Sequence, residues 1–313
     1  MMLRRKLSAK ANLRLMYRAS TSPPSVTQLQ NVINNSNQFL YTTGNPDLNQ
    51  QYTHNISARY AFTDTKKGQS FFANLFLQSI QDYVTNATYI ASRDSVLTKT
   101  ITLFKGSQIS KPVNLNGYIS ARSFFTYGMP VKFIKSSINL NTGFGYSRLP
   151  GLINNVKNVS DNYNYSVGAV IASNINEYVD FNVSYSGNFN TVKNTLQPAL
   201  NNNYYTHVAS AQINLLSKKG WFIQSDITNQ TYSGLTAGFN QTYWLWNGAI
   251  GKKFLKGQAG ELKLSAFDLL KQNNSIVRNT TESYIEDIQN DVLRQYFMLT
   301  FSYKLKNFGA KKK

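Results

Sequence analysis

The sequence predicts an all-β chain: an antiparallel transmembrane β-barrel of about twelve long strands. Three observations predict it. Apolar and polar residues alternate over stretches much longer than the ~5–6 residues usual in soluble strands, and long enough for the ~9–11 that a membrane strand needs. The connections alternate between long ones (20–50, 91–111, 148–161, 191–203, 234–238, 271–292) and short ones (63–69, 127–132, 174–177, 217–219, 255–259). Long loops at one end of a barrel and tight turns at the other are the pattern of outer-membrane barrels. Third, charged residues are only 15% of the chain, against the usual quarter, and Asn, Ser, Thr, Gln and Tyr take their place.

The strands follow in order. Leu13, Leu15 and Tyr17 alternate with Arg14, Met16 and Arg18, and a breaker-rich segment with Pro23-Pro24 and Gly44-Asn45-Pro46 follows. Ile56, Ala58, Tyr60 and Phe62 share one face of the next strand. Residues 70–90 read as a long extended run, in which the adjacent Phe71 and Phe72 break the alternation as a bulge would. Residues 93–106 read as a β-rich excursion, and residues 112–127 as a strand turned by Gly128-Met129-Pro130. Ile138, Leu140, Thr142, Phe144 and Tyr146 then alternate with Asn and Gly. Tyr163, Tyr165, Val167, Ala169 and Ile171 do the same after a polar loop, and the turn at Asn174–Glu177 leads to Phe181, Val183, Tyr185 and Phe189. Strands at 204–216, 221–234, 239–254 and 261–270 follow. The last strand, Gln295 to Lys306, places Phe297, Leu299, Phe301, Tyr303 and Leu305 on one face. Twelve strands put both ends of the wall on the short-turn side. Residues 1–313 are read as one barrel domain.

Composition excludes several functions. There is no cysteine, hence no disulfide framework, thiolate metal site or cysteine nucleophile. Mean hydropathy is −0.35 and no apolar run reaches the ~18 residues of a membrane helix. The net charge of +19 is spread over separate pairs and a terminal triplet (Lys66-Lys67, Lys218-Lys219, Lys252-Lys253, Lys311–Lys313), with no basic helix or zinc-finger spacing, so no nucleic-acid partner is expected. Lys and Arg in turns suit anionic head groups of outer-membrane lipid. Arg59 and Arg122, on inward parity, favour an anionic solute.

His54 and His207 lack converging ligands. There is no Gly-x-Ser-x-Gly, His-Glu-x-x-His or phosphate loop, so neither an enzyme nor a cofactor is expected. The acids Glu282, Glu286, Asp287 and Asp291 in the last long connection are the candidate ligand-facing acids, either for a cationic ligand or as a solvated loop with a short helix.

Three stretches resemble a known family. These are the Leu13-to-Tyr17 strand with Pro24-Ser25-x-x-Gln28-Leu29-Gln30 and Gly44-Asn45-Pro46-x-Leu48; residues 117–131; and residues 295–309. Together they resemble the C-terminal barrel portion of Bacteroidetes-type TonB-dependent outer-membrane receptors. The resemblance implies a location in the cell outer membrane, with this chain supplying barrel wall and loops that capture a small-molecule or glycan ligand. It implies that Phe297, Leu299, Phe301 and Tyr303 form the signal read by the barrel-assembly machinery. Receptors of this kind carry a signal peptide, a plug and about 22 strands. Met1 to Lys10 has a basic start without an apolar run and does not read as a signal peptide. The chain therefore reads as a fragment, linked to the TonB system only through a plug it lacks. A complete passive pore of about twelve strands and a soluble all-β binding protein are the two alternatives.

Overall fold

The computed structural model describes residues 1–173, 175–198, 201–280 and 285–305. Asn174, Glu282, Lys306 and Lys311–Lys313 lie outside the described residues. The strands are β1 Met2–Lys6, β2 Ala11–Ser22, β3 Leu40–Thr42, β4 Gln51–Asp64, β5 Gln69–Gln81, β6 Tyr83–Ile90, β7 Ser95–Thr98, β8 Ile101–Leu103, β9 Gln108–Leu115 and β10 Tyr118–Val131. They continue with β11 Ser136–Ile153, β12 Val156–Ser173, β13 Val179–Asn194, β14 Asn202–Leu216, β15 Trp221–Ser233, β16 Gln241–Phe254, β17 Gly260–Phe267, β18 Ser275–Thr280, β19 Ile285–Asn290 and β20 Tyr296–Tyr303. One short helix, α1, spans Val26–Leu29.

The wall is a single sheet in the order β1-β2-β4-β5-β10-β11-β12-β13-β14-β15-β16-β17-β20. Every neighbouring pair in it is antiparallel. From β2 onward it contains the twelve strands the alternation predicts, in the predicted order. A thirteenth was missed: the basic start, Met2–Lys6, folds back through a turn at Leu7–Lys10 and pairs with β2 from Met2↔Met16 to Lys6↔Asn12. Thirteen antiparallel strands make β1 and β20 run in the same direction, so the two ends of the wall do not both lie on the turn side.

Four boundaries are corrected. Residues 148–161 are not a long loop. β11 and β12 run on to a two-residue turn, Asn154-Asn155, with both φ positive (48° and 65°), the conformation a right-twisted hairpin favours and Asn tolerates. The run at 70–90 divides at Asp82 (φ 50°), and the one at 112–127 divides at Gly117 (φ 115°); β6 and β9 leave the wall to pair with each other. Phe71 and Phe72 form no bulge: the β4–β5 and β5–β10 registers pass through them without a shift, so they lie on opposite faces. Pro130 does not turn the chain; it pairs with Ser137 near the end of β10, and the turn comes at Lys132–Lys135. The described residues of the connection 271–292 form the hairpin β18–β19 and no helix.

The ladders fix the two faces. On one, the row Val179–Leu215–Ile223–Ile250–Leu264–Leu299 crosses six strands, and Ile138–Ile171–Val183–Ala211–Ile227–Trp246 runs above it. On the other, Asn141, Gly168, Ser186, Val208 and Gln230 stand in one row, and Gly145, Asn164, Asn190 and Tyr204 in another. Many aliphatic and aromatic side chains of the apolar face are exposed, among them Val183, Ile223, Ile250, Leu264 and Trp244. Water does not tolerate a continuous face of that kind, whereas lipid does. Among the described residues the one cluster of buried hydrophobic side chains is small and lies in the loops, around Tyr41, Ala91 and Leu103.

An arginine on the lipid-facing row costs about 2–4 kcal/mol near the bilayer midplane. Val183→Arg should lower the unfolding free energy in lipid by that amount. Ser184→Arg, one residue along on the polar face, should change it by less than about 1 kcal/mol. Denaturant titration in vesicles measures both.

Candidate functional site

Three features converge at the long-loop end of the polar face. The first is a loop platform. β6 pairs antiparallel with β9, β3 pairs parallel with β9, and the tip of β11 pairs parallel with β6 at Leu152↔Ala87 and Ile153↔Thr88. The Asn154 side-chain oxygen accepts from the Ile90 amide at 2.8 Å, which ties the β11–β12 tip to the platform. The motifs singled out in the sequence prove to be its joint. Ser25 caps α1, its hydroxyl accepting from the Gln28 amide while the Gln28 side chain accepts from the Ser25 amide, a capping box. The amides of Gly44 and Asn45 donate to the carbonyls of Gln30 and Gln28 at 2.9 and 2.6 Å. A Cβ on Gly44 would sit 2.2 Å from the Gln30 carbonyl oxygen, so only glycine allows this approach. Asn45, buried, donates to the Pro112 carbonyl at 2.9 Å. A cavity of about 530 Å³ opens here, lined by Gln28, Gln30, Asn34, Thr43, Asn86 and Ser110 among others. Its lining is amides, hydroxyls and a few apolar side chains, with no charge.

The second feature is the hairpin β18–β19, which lies over the polar face. Arg278 grips Asp287 with two hydrogen bonds, Nε to Oδ1 at 2.7 Å and Nη2 to Oδ2 at 2.6 Å. Both side chains are buried, 5% and 1% exposed. The guanidinium lies 4.8 Å from the ring centre of Tyr204 on β14 and donates to the Gly234 carbonyl at 3.4 Å, while the Thr236 amide donates to Asp287 at 2.9 Å. The Tyr243 hydroxyl donates to the Asn274 carbonyl at 3.1 Å. The hairpin is thus fixed to β14 and β16 and to the connection between β15 and β16. The Arg278 hydrogen bonds hold the Asp287 carboxyl down at about 2, from its ordinary 3.8.

The third is a cavity of about 510 Å³ that the hairpin borders through Arg278 and the wall strands line with Arg122, Phe124, Asn164, Asn190 and Tyr204 among others. Cross-strand amide bonds line the face below it, such as Asn164 to Asn190 at 2.8 Å and Gln78 to Asn55 at 3.1 Å. Amides and hydroxyls arranged in this way suit passage or weak capture of polar solutes.

The residues singled out in the sequence fall as follows. Phe297, Leu299 and Phe301 project from the apolar face of β20 at 65, 68 and 63% exposure, with Tyr303 beside them. Of the four acids, Asp287 is held by Arg278, Glu286 accepts from Asn279 at 3.4 Å and Asp291 is exposed beyond β19. His54 and His207 stand on the apolar face, their Nδ1 atoms hydrogen-bonded to the hydroxyls of Tyr17 and Tyr205. Among the described residues no three His, Cys, Asp or Glu side chains converge on a site for a metal ion. Sequence reasoning missed Arg278 and Tyr204. The alternation of Ile276 and Arg278 with their neighbours was the available signal, but it is too short to be distinctive.

A model of the outer membrane protein beta-barrel family matches residues 1–303. No curated protein matches the chain.

Arg278→Ala should free the hairpin, because it strands a buried carboxylate at a cost of about 3–5 kcal/mol. Limited proteolysis should then cut within 268–295 much faster while the wall stays intact. Because the folded-state pKa of Asp287 is depressed, its contribution is complete above its ordinary value and fades as pH falls towards about 2. The same proteolysis, with an acid-active protease, should show the hairpin loosening across that window in the parent protein and no such pH dependence in Arg278→Ala.

Proposed function

The chain belongs to the outer membrane protein beta-barrel family, a barrel of the cell outer membrane, and from that premise we propose that it forms the wall and ligand-capturing loops of a TonB-dependent receptor whose barrel is larger than these strands. The observation that carries the reading is the pair of free edges. Within the described residues no ladder joins β1 to β20. Lipid offers no hydrogen-bonding groups to an unpaired strand, so a spanning sheet must close. β1 and β20 point the same way, and joining them would need a parallel pair. Up-and-down barrels of this type are antiparallel throughout and even-stranded. An odd number of additional antiparallel strands between the two edges restores both conditions.

The loop platform with its uncharged cavity and the docked hairpin support capture at the mouth. In this reading the ligand is a polar small molecule or glycan, Phe297, Leu299, Phe301 and Tyr303 are read by the barrel-assembly machinery, and energy coupling through TonB is the work of a plug, which the wall does not supply. A passive pore closed on these strands alone requires the edges to meet.

The chain is free of cysteine, which makes the test direct. Leu3→Cys combined with Phe301→Cys places one thiol on each edge strand. The receptor reading expects no disulfide in the membrane-embedded protein under mild oxidation. Efficient cross-linking within one chain would identify a closed pore. Leu3→Cys with Leu15→Cys, directly opposite in the β1–β2 ladder, serves as the positive control.

A further inference from the structure

On the polar face of β13–β17 the cations Lys253 and Lys263 stand among the acids Asp180, Asp226 and Glu261, whereas the cations at the β1 end of the wall stand without any. Arg4 pairs with Arg14, and Arg14 pairs with Arg59, so three arginines stand directly opposite one another on adjacent strands. The row continues uncharged through Asn74, Phe124, Gly143 and Ser166. Lys6 and Arg18 flank the row on the same face, and Arg122 stands on β10. No acid lies on this face of β1, β2, β4, β5 or β10. Directly opposed strand residues have Cβ atoms ~4.5–5.5 Å apart, and like charges there repel.

Among the described residues no ion pair relieves that repulsion. The ion pairs among the described residues are Lys10–Asp64, Arg148–Asp161 and Arg278–Asp287, and none includes the three arginines. Arg59 makes one weak contact, 6.0 Å from the Phe72 ring centre. All three side chains are exposed. A scattered basic surface would alternate with acids or with neutral rungs; three successive rungs of arginine form a strip of forked donors suited to phosphate oxygens.

We propose that Arg4, Arg14 and Arg59 form a binding site for a solute carrying several phosphate groups, which bridges the three guanidiniums on the inner face of the wall. The site rests on the reading of the polar face as a water-filled lumen. The exposed rings of Phe76 and Phe124 beside it offer a surface for an apolar or ring portion of the same solute.

The probe is inorganic tripolyphosphate, titrated calorimetrically into the full-length protein in a neutral detergent. The parent protein should bind it, with affinity falling as salt rises. Arg14→Gln and Arg59→Gln should each weaken binding by at least about tenfold, the loss of a hydrogen-bonded charge. Lys218→Gln/Lys219→Gln, on the β14–β15 turn, should bind as the parent does. Without the probe the arginine variants should be no less stable than the parent, since repulsion is relieved, and the probe should stabilise only the parent. A separate arm tests the lumen: Ser57→Cys, next to the ladder on the same face, is challenged in vesicles with a membrane-impermeant maleimide. Labelling without tripolyphosphate binding, or equal binding by parent and arginine variants, overturns the ladder and leaves the lumen standing. Failure of Ser57→Cys to label overturns the lumen reading and the ladder with it.

Discussion

A backbone amide in hydrocarbon has no water to bond, so each strand that crosses the membrane depends on its two neighbours. This constraint organises the whole chain. It explains why one sheet runs without interruption from β1 to β20, and why strands as long as the 18 residues of β11 and β12 keep an unbroken register. It also gives the free edges of β1 and β20 their meaning. In water an exposed edge is a liability for aggregation; in lipid it is a row of unpaired donors and acceptors with no alternative partner. The interior core is correspondingly slight. Where a soluble protein of this length would bury a large apolar centre, this one turns its aliphatic rows towards lipid and, among the described residues, packs a small cluster in the loops.

The same two-residue period separates three environments. Odd-numbered residues of β13 carry Phe181, Val183, Tyr185 and Phe189 to the apolar face, and the even-numbered ones carry Asn182, Ser184, Ser186, Asn188 and Asn190 to the polar one. Near the loops the apolar face becomes aromatic and amphipathic. The Tyr185 and Tyr205 hydroxyls hydrogen-bond at 2.7 Å, Tyr205 meets His207 at 2.8 Å, and His207 meets Asn229 at 3.2 Å. Such a chain satisfies polar tips where rings lie at the head-group level. The loop-end site builds on the same wall: β11 and β12 rise far enough to brace the platform, and β14 and β16 supply Tyr204 and Tyr243 to hold the tip hairpin.

Much of this was legible in the sequence, for physical reasons that differ by region. The wall strands were readable because lipid on one face and water on the other enforce alternation at every rung. β1 was not, because five residues with two adjacent arginines look like a basic terminus; only the ladder to β2 shows that Arg4 and Arg5 take opposite faces. The Asn154-Asn155 turn was hidden because the polar residues around it resemble a loop. β3 lay in a breaker-rich segment, and β6 and the end of β9 read as continuations of wall strands, because only their pairing with each other shows that they leave the wall. The Pro24-to-Gln30 and Gly44-to-Leu48 motifs were visible, but their purpose was not: a helix cap and a close glycine contact bind two ends of one loop. Of the candidate acids among the described residues, Asp287 alone is held in an ion pair, and its partner, Arg278, carried no pattern of its own.

The central claim is that one face of this sheet meets lipid and the other meets water. The most direct measurement places single cysteines at successive positions from Phe181 to Asn190, labels each with a fluorophore, and quenches it from the lipid phase and from the aqueous phase in vesicles. The account predicts a two-residue period, with odd positions quenched by the lipid-borne agent and even positions by the aqueous one. Equal aqueous quenching at every position would contradict it.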